Sequence, residues 1–229
     1  MKTIFKYCAA AALVISTAHS AFAADTAVLK VQGTLIMGSC TPSLPSDGVV
    51  DFGAIPVDSL SNSVVNQLGQ KDITLTLTCT SPTKVAWSIA DDRADSVVDT
   101  APQIDTHPAS PDTEFGLGKT ADNVDLGSYA VIARDNPTTG DVMIDGAVGK
   151  IALSSDEGAN WTPGNGAGIN LHSDGTRILT FSDDLGNPVP FEVATQHLTV
   201  GAAVQDSKTL AITDDTPLDG QATISVKYL

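Results

Sequence analysis

The residues that could carry chemistry are few, and each set is incomplete. Once an N-terminal export signal is removed, Cys40 and Cys79 are the only cysteines left. Two thiolates cannot supply the four ligands of a structural zinc site, whereas an isolated pair in an oxidising compartment forms a disulfide. Closing a loop of this length stabilises a fold by about 4 kcal/mol in the chain-entropy account. His107, His172 and His197 have no metal-ligand spacing, and no G-x-S-x-G elbow supplies a nucleophile. Gly118-Lys119-Thr120 has the end of a phosphate loop, but Thr113 stands where its first glycine belongs. Gly116-x-Gly118-x-x-Ala121 follows a loop rich in Pro and Asp instead of the strand a dinucleotide turn requires. Asp residues crowd residues 91–127, yet they lack the Asp-x-Asp-x-Asp-Gly order of a calcium loop. Glycoside hydrolysis needs two carboxylates placed across one bond, and 27 acidic residues single out no pair. The sequence therefore names no catalytic residue, metal ligand or cofactor, and the expectation is that the protein is not an enzyme.

Two tryptophans remain as possible sugar platforms. Trp87 alternates with Val85 and Ile89, which places it on a core face. Ser154-Ser155-Asp156-Glu157-Gly158-Ala159-Asn160-Trp161 resembles the S-x-D-x-G-x-x-W box of sialidases, where the box is a hairpin turn remote from catalysis. A single copy reads as a turn with a packed Trp. Trp161 is the more exposed of the two and carries the alternative function, a secreted carbohydrate-binding β-sandwich or tip adhesin.

Lys2 and Lys6, the apolar run from Cys8 to Ile15 and Ala21-Phe22-Ala23 describe a secretory signal peptide over residues 1–24, cleaved after Ala23 or Ala24. The run is far shorter than the roughly 20 residues of a spanning helix. Cleavage removes two of the 12 basic residues and none of the 27 acidic ones, so the charge falls from −15 to −17. A chain this acidic repels phosphate backbones and anionic lipid, which excludes nucleic-acid and membrane-surface binding as expected functions. The mature chain also has no second apolar stretch of spanning length.

Strand patterns fill the rest. Residues 72–79 alternate apolar residues with Thr, and similar runs lie at 85–89, 129–133, 150–153, 177–181, 191–200, 209–212 and 222–228. Clusters of Gly, Pro, Asn and Asp separate them, and no stretch holds a helical period for three turns. This predicts an all-β sandwich or barrel. Residues 91–127, broken by Pro102, Pro108 and Pro111, form either an insertion with its own local structure or a mobile surface loop.

The termini are the most informative part. From Asp25, every second residue gives Ala27, Leu29, Val31, Gly33 and Leu35 on one face. Ala222, Ile224, Val226 and Tyr228 share a face of the last predicted strand, and no further strand follows to cover its edge. Gly33 seven residues before Cys40, Cys79 closing ITLTLTC, Val189-Pro190-Phe191-Glu192-Val193-Ala194 and the terminal A-x-I-x-V-x-Tyr-x resemble the subunits of chaperone–usher pili. The likeness is nearest to the larger, poorly characterised fimbrial-like pilins. It covers the first 65 or so mature residues and the last 40 or so, while the middle is longer than usual.

The resemblance implies an incomplete immunoglobulin-like β-sandwich over residues 34–229, with an acidic insertion near 91–127. It implies an N-terminal donor-strand extension over residues 25–33. Donor side chains Ala27, Leu29, Val31, Gly33 and Leu35 would fill a neighbour's groove, while Ala222, Ile224, Val226 and Tyr228 would meet a periplasmic chaperone. Its partners would be that chaperone, an outer-membrane usher and neighbouring pilin subunits. Exported to the periplasm and then to a cell-surface fimbrium, such a subunit supports cell adhesion. The donor extension points to a polymerising subunit, since two-domain tip adhesins generally lack one.

Overall fold

A computed structural model describes residues 27–35 and 38–229. The signal-peptide reading of residues 1–24 lies outside the described residues. The chain divides into two units between residues 36 and 37. The described part of the first, residues 27–35, has no secondary structure, and Val28, Leu29, Val31 and Leu35 are exposed.

The second unit is all-β and sandwich-like. Its main strands are β1 (Cys40–Ser43), β2 (Asn66–Thr83), β3 (Val85–Asp91), β4 (Gly127–Ala133), β5 (Val142–Ile144), β6 (Lys150–Ser154), β7 (Ile178–Ser182), β8 (Phe191–Val204) and β9 (Ala222–Tyr228). One sheet runs β1-β2-β8-β4, with Ile169–Asn170 beyond β4 and β5 alongside the start of β8. The other runs from Thr162–Pro163 through β6, β7 and β3 to β9. Every ladder between these strands is antiparallel.

Period-two alternation explains the core. In β2 the side chains of Leu75, Leu77 and Cys79 are buried, while the threonines between them face away. Val85, Trp87 and Ile89 of β3 and Leu198 and Val200 of β8 belong to the same core. Phe181 meets Phe191 edge-on at 4.9 Å between ring centroids, tying the two sheets together. Cys40 and Cys79 lie opposite each other in the β1–β2 ladder and form the disulfide.

One expected strand is absent. Residues 209–212 read as strand, but Ser207–Leu210 is a single helical turn and Ala211 is left-handed at φ 46°. The Asp206 carboxylate accepts the Thr209 N–H at 2.9 Å, which caps the turn, and Leu210 is buried beneath it. A four-residue apolar run has no period of its own, so the cap decides it.

The acidic stretch at 91–127 has local structure. It holds 3-10 turns at Ala94–Ser96 and Pro111–Thr113 and a hairpin pairing Gln103–Ile104 with His107–Pro108. Phe115–Gly116 then pairs with β4, and the Phe115 ring stacks on Tyr129 at 5.1 Å. The hairpin lies directly on the outer face of β8. At Gly201 a Cβ would stand 2.6 Å from Ile104 Cγ1 and 2.7 Å from the Gln103 carbonyl oxygen.

The same stretch buries a carboxylate. Glu114 accepts the Thr100 N–H at 3.2 Å and the Ser128 hydroxyl, while its Oε1 has no partner. Burial raises its pKa above the ordinary 4.5, against the lowering effect of those bonds. A carboxyl with a raised folded pKa favours folding below its unfolded value, and that contribution is lost as pH rises through the folded value. Urea midpoints measured from mildly acidic to neutral pH should show it. Relative to wild type, Glu114→Gln is expected to gain stability with rising pH across that window and then level off. Parallel curves would contradict this.

Candidate functional site

β9 is an edge strand with unfinished packing. On one side it pairs with β3 over seven residues, from Ala222 opposite Asp91 to Tyr228 opposite Val85. On its other side no strand among the described residues pairs with it. Such an edge presents backbone N–H and C=O groups at every second residue to whatever lies beside it. Its inward side chains Ala222, Ile224 and Val226 reach the core but stay half-buried, and Tyr228 is 44% exposed. Buried strands elsewhere in the molecule are sealed to a few per cent.

The connection between β1 and β2 is loosely packed, although the inward side chains of the first sheet beneath it are buried. Between β1 and β2 the chain holds only 3-10 turns at Pro45–Gly48 and Val57–Ser59. Its apolar residues Leu44, Val50, Phe52 and Leu60 pack against the core while remaining partly open. The two sheets are joined near the disulfide, where Tyr228 Oη accepts the Cys40 N–H at 2.8 Å.

Both ends of β9 are fixed in place. Arg93 pairs with Asp219 at 3.1 Å and reaches Gln221 Oε1 at 3.3 Å, while the Gln221 carbonyl accepts the Asp92 N–H at 2.9 Å. At the far end the Leu229 N–H donates to the Lys84 carbonyl at 3.2 Å. The strand is thus held in register on one side only.

The described side chains named for the donor strand, Ala27, Leu29, Val31, Gly33 and Leu35, are exposed. Of those named on the last strand, Ala222, Ile224 and Val226 pack against the core, while Tyr228 follows in the same alternation but is largely exposed. Trp87 is fully buried. Trp161 is half-buried and closes the turn that begins at Ser154. There, Asp156 accepts the Ser154 hydroxyl at 2.6 Å and the Asn160 N–H at 2.9 Å, which hold its pKa down to about 2. Lys119 donates to Asp125 and to the Asp95 carbonyl, so the Gly-Lys-Thr run is a loop staple. Among the described residues, no three His, Cys, Asp or Glu side chains converge closely enough to hold a metal ion.

Sequence reasoning missed a concave region on the outer face of the first sheet, with a volume of about 600 Å³. It draws on stretches around residues 70–74, 105, 134–141, 166–168 and 197–199. Its only sequence signal is the polar alternation Thr195, His197, Thr199 along β8.

Known proteins are similar to this chain in sequence. Residues 29–130 match a family model described as a protein of unknown function, DUF1120. The uncharacterised protein YhcF of Escherichia coli strain K12 is 32% identical over 228 residues, covering 93% of this chain and 94% of that protein. Protein GltF of the same strain is 32% identical over 251 residues, covering 97% and 95%. With nearly the whole length of both chains aligned, this protein belongs to the DUF1120 family alongside YhcF and GltF.

Proposed function

We propose that this protein is a structural subunit of a chaperone–usher fimbrium that polymerises by donor-strand exchange and supports adhesion. In this reading, residues 34–229 are an immunoglobulin-like sandwich lacking its last strand. The free edge and half-buried apolar face of β9 carry the reading. A strand added there would pair with β9 and cover Ala222, Ile224 and Val226. A periplasmic chaperone supplies that strand first. At the outer-membrane usher, the stretch around Ala27, Leu29, Val31, Gly33 and Leu35 of the next subunit replaces it. Burying Leu29, Val31 and Leu35 contributes about 5–9 kcal/mol of apolar transfer, with about 1 kcal/mol net from each ladder hydrogen bond. That suffices for a long-lived joint without covalent bonds. Gly33 fits where a side chain would meet the groove floor.

The test is an SDS gel, boiled against unboiled, of periplasmic extract from cells making the protein with its own chaperone and usher. The full-length protein should give a ladder that collapses on boiling. A version lacking residues 25–33 but keeping the signal should give none. Monomer in every lane, with both versions equally soluble and abundant, would overturn the reading.

A further inference from the structure

The polar cleft on the outer face of the first sheet lies away from the core and the β9 edge, and nothing in the assembly reading uses it. Its floor is a patch of cross-strand pairs, His197 opposite Thr74 and Thr199 opposite Asp72. One wall is Asp105 from the hairpin of the acidic segment. The other is the loop after β4 together with Gly166 and Gly168.

This cleft is formed and held without a ligand. Asp135 is buried, and its carboxylate accepts the Gly166 N–H at 2.9 Å and the Gly168 N–H at 2.7 Å. Asp141, also buried, accepts the Asn136 N–H at 3.1 Å and the Thr139 hydroxyl at 2.7 Å. Across the floor Thr199 donates to Asp72 at 2.5 Å and accepts from Arg134 Nε at 2.8 Å. Arg134 in turn is paired with Asp105, which Gln70 holds through two bonds of 3.0 Å. The space is of small-ligand size, and its polar groups are already fixed, which lowers the ordering cost of binding.

Capacity remains for a ligand. The His197 ring is half-exposed, and its nearest polar partner is Asp141 at 3.6 Å, beyond hydrogen-bond length. Asp72 commits one carboxylate oxygen to Thr199, and the other accepts no hydrogen bond among the described residues. At Gly166, with φ 83°, the space a Cβ would occupy is open, so the loop backbone can be approached closely.

The chemistry of the lining selects the ligand class. Four carboxylates, Asp72, Asp105, Asp135 and Asp141, face one guanidinium that is already paired, so phosphates, sulfates and acidic sugars are repelled. The carboxylates do not converge as metal ligands do. Adjacent donors and acceptors on a flat, polar floor match neighbouring hydroxyl groups, which donate and accept at once. We propose that the cleft binds an uncharged saccharide, with Asp72 and His197 hydrogen-bonding its hydroxyls. This site is separate from Trp161.

The experiment uses the full exported chain purified from the periplasm. It is applied to an array of neutral oligosaccharides ending in glucose, galactose, mannose or N-acetylglucosamine, beside sialylated and sulfated counterparts. Titration calorimetry follows with the strongest neutral oligosaccharide. At least one neutral oligosaccharide should bind. Asp72→Ala and His197→Ala should each weaken it about tenfold, and Thr74→Trp should abolish it by filling the floor. Trp161→Ala should bind as wild type does. If a variant unfolds, ligand-induced NMR shifts at Thr74 and His197 of the unaltered protein give the same answer. No neutral saccharide bound, a preference for the charged ones, binding that survives Thr74→Trp, or NMR shifts centred elsewhere would each overturn the proposal.

Discussion

Replacing Cys40 and Cys79 together by alanine is expected to lower unfolding stability by about 4 kcal/mol, measured by chemical denaturation of the oxidised protein and the variant. The two cysteines are 39 residues apart, and the bond acts mainly by restricting the unfolded chain across that loop. The native ladder has little else to hold it there. β1 is four residues long and pairs only with Thr76 to Cys79 of β2. Against a typical total of about 5–15 kcal/mol for a domain, the loss is a large fraction. It also reaches the candidate assembly edge, because the Cys40 N–H is the group bound by Tyr228 Oη. Alanine is the better replacement because both sulfurs are buried and a serine hydroxyl would need a partner. A difference below about 1 kcal/mol would mean that the ladder alone fixes β1, or that the unfolded chain is already compact there.

The elements legible in the sequence are those whose information is local. Residues 72–79 alternate strictly, and β2 continues that alternation to Thr83, while toward its start a register shift near Gly69 breaks it. β3, β4, β6, β7, β8 and β9 all fall where the β-branched and aromatic runs predicted them, because a half-buried pleat needs only that pattern. The Ser154 to Trp161 turn was legible because its Asp, Gly and Asn have fixed offsets. The 91–127 stretch was not. Ile104, Phe115 and Leu117 are buried there, but they are scattered among Asp and Pro with no period. Their partners on β4 and β8 come from far along the chain, so only the finished sheet gives them a surface to cover. The apolar alternation of β9 was readable from Ala222, Ile224, Val226 and Tyr228. The cleft was not, since its floor and walls come from separated stretches brought together by the β2–β8 ladder and by the bonds of Asp105 and Asp135.

Trp87→Ala is expected to cost about 3–5 kcal/mol, and Trp87→Phe well under half of that. Trp87 is fully buried at the centre of β3, opposite Leu179 of β7 and Val226 of β9. Alanine leaves a cavity among these residues. Phenylalanine loses part of the ring volume, but it also removes an indole N–H that is buried without an acceptor, so the two effects offset. The consequence should extend beyond stability. β3 is the only strand among the described residues that pairs with β9, so loosening it releases the edge on which assembly is proposed to occur. Amide exchange of Trp87→Ala should therefore lose protection on β9 more than at the centre of β2, which is paired with β8 along nearly its whole length. Equal loss on both strands would show that Trp87 supports the sandwich as a whole, with no special hold on β9. A phenylalanine variant as unstable as the alanine one would show that the indole nitrogen has a partner, and that its hydrogen bond is what Trp87 contributes.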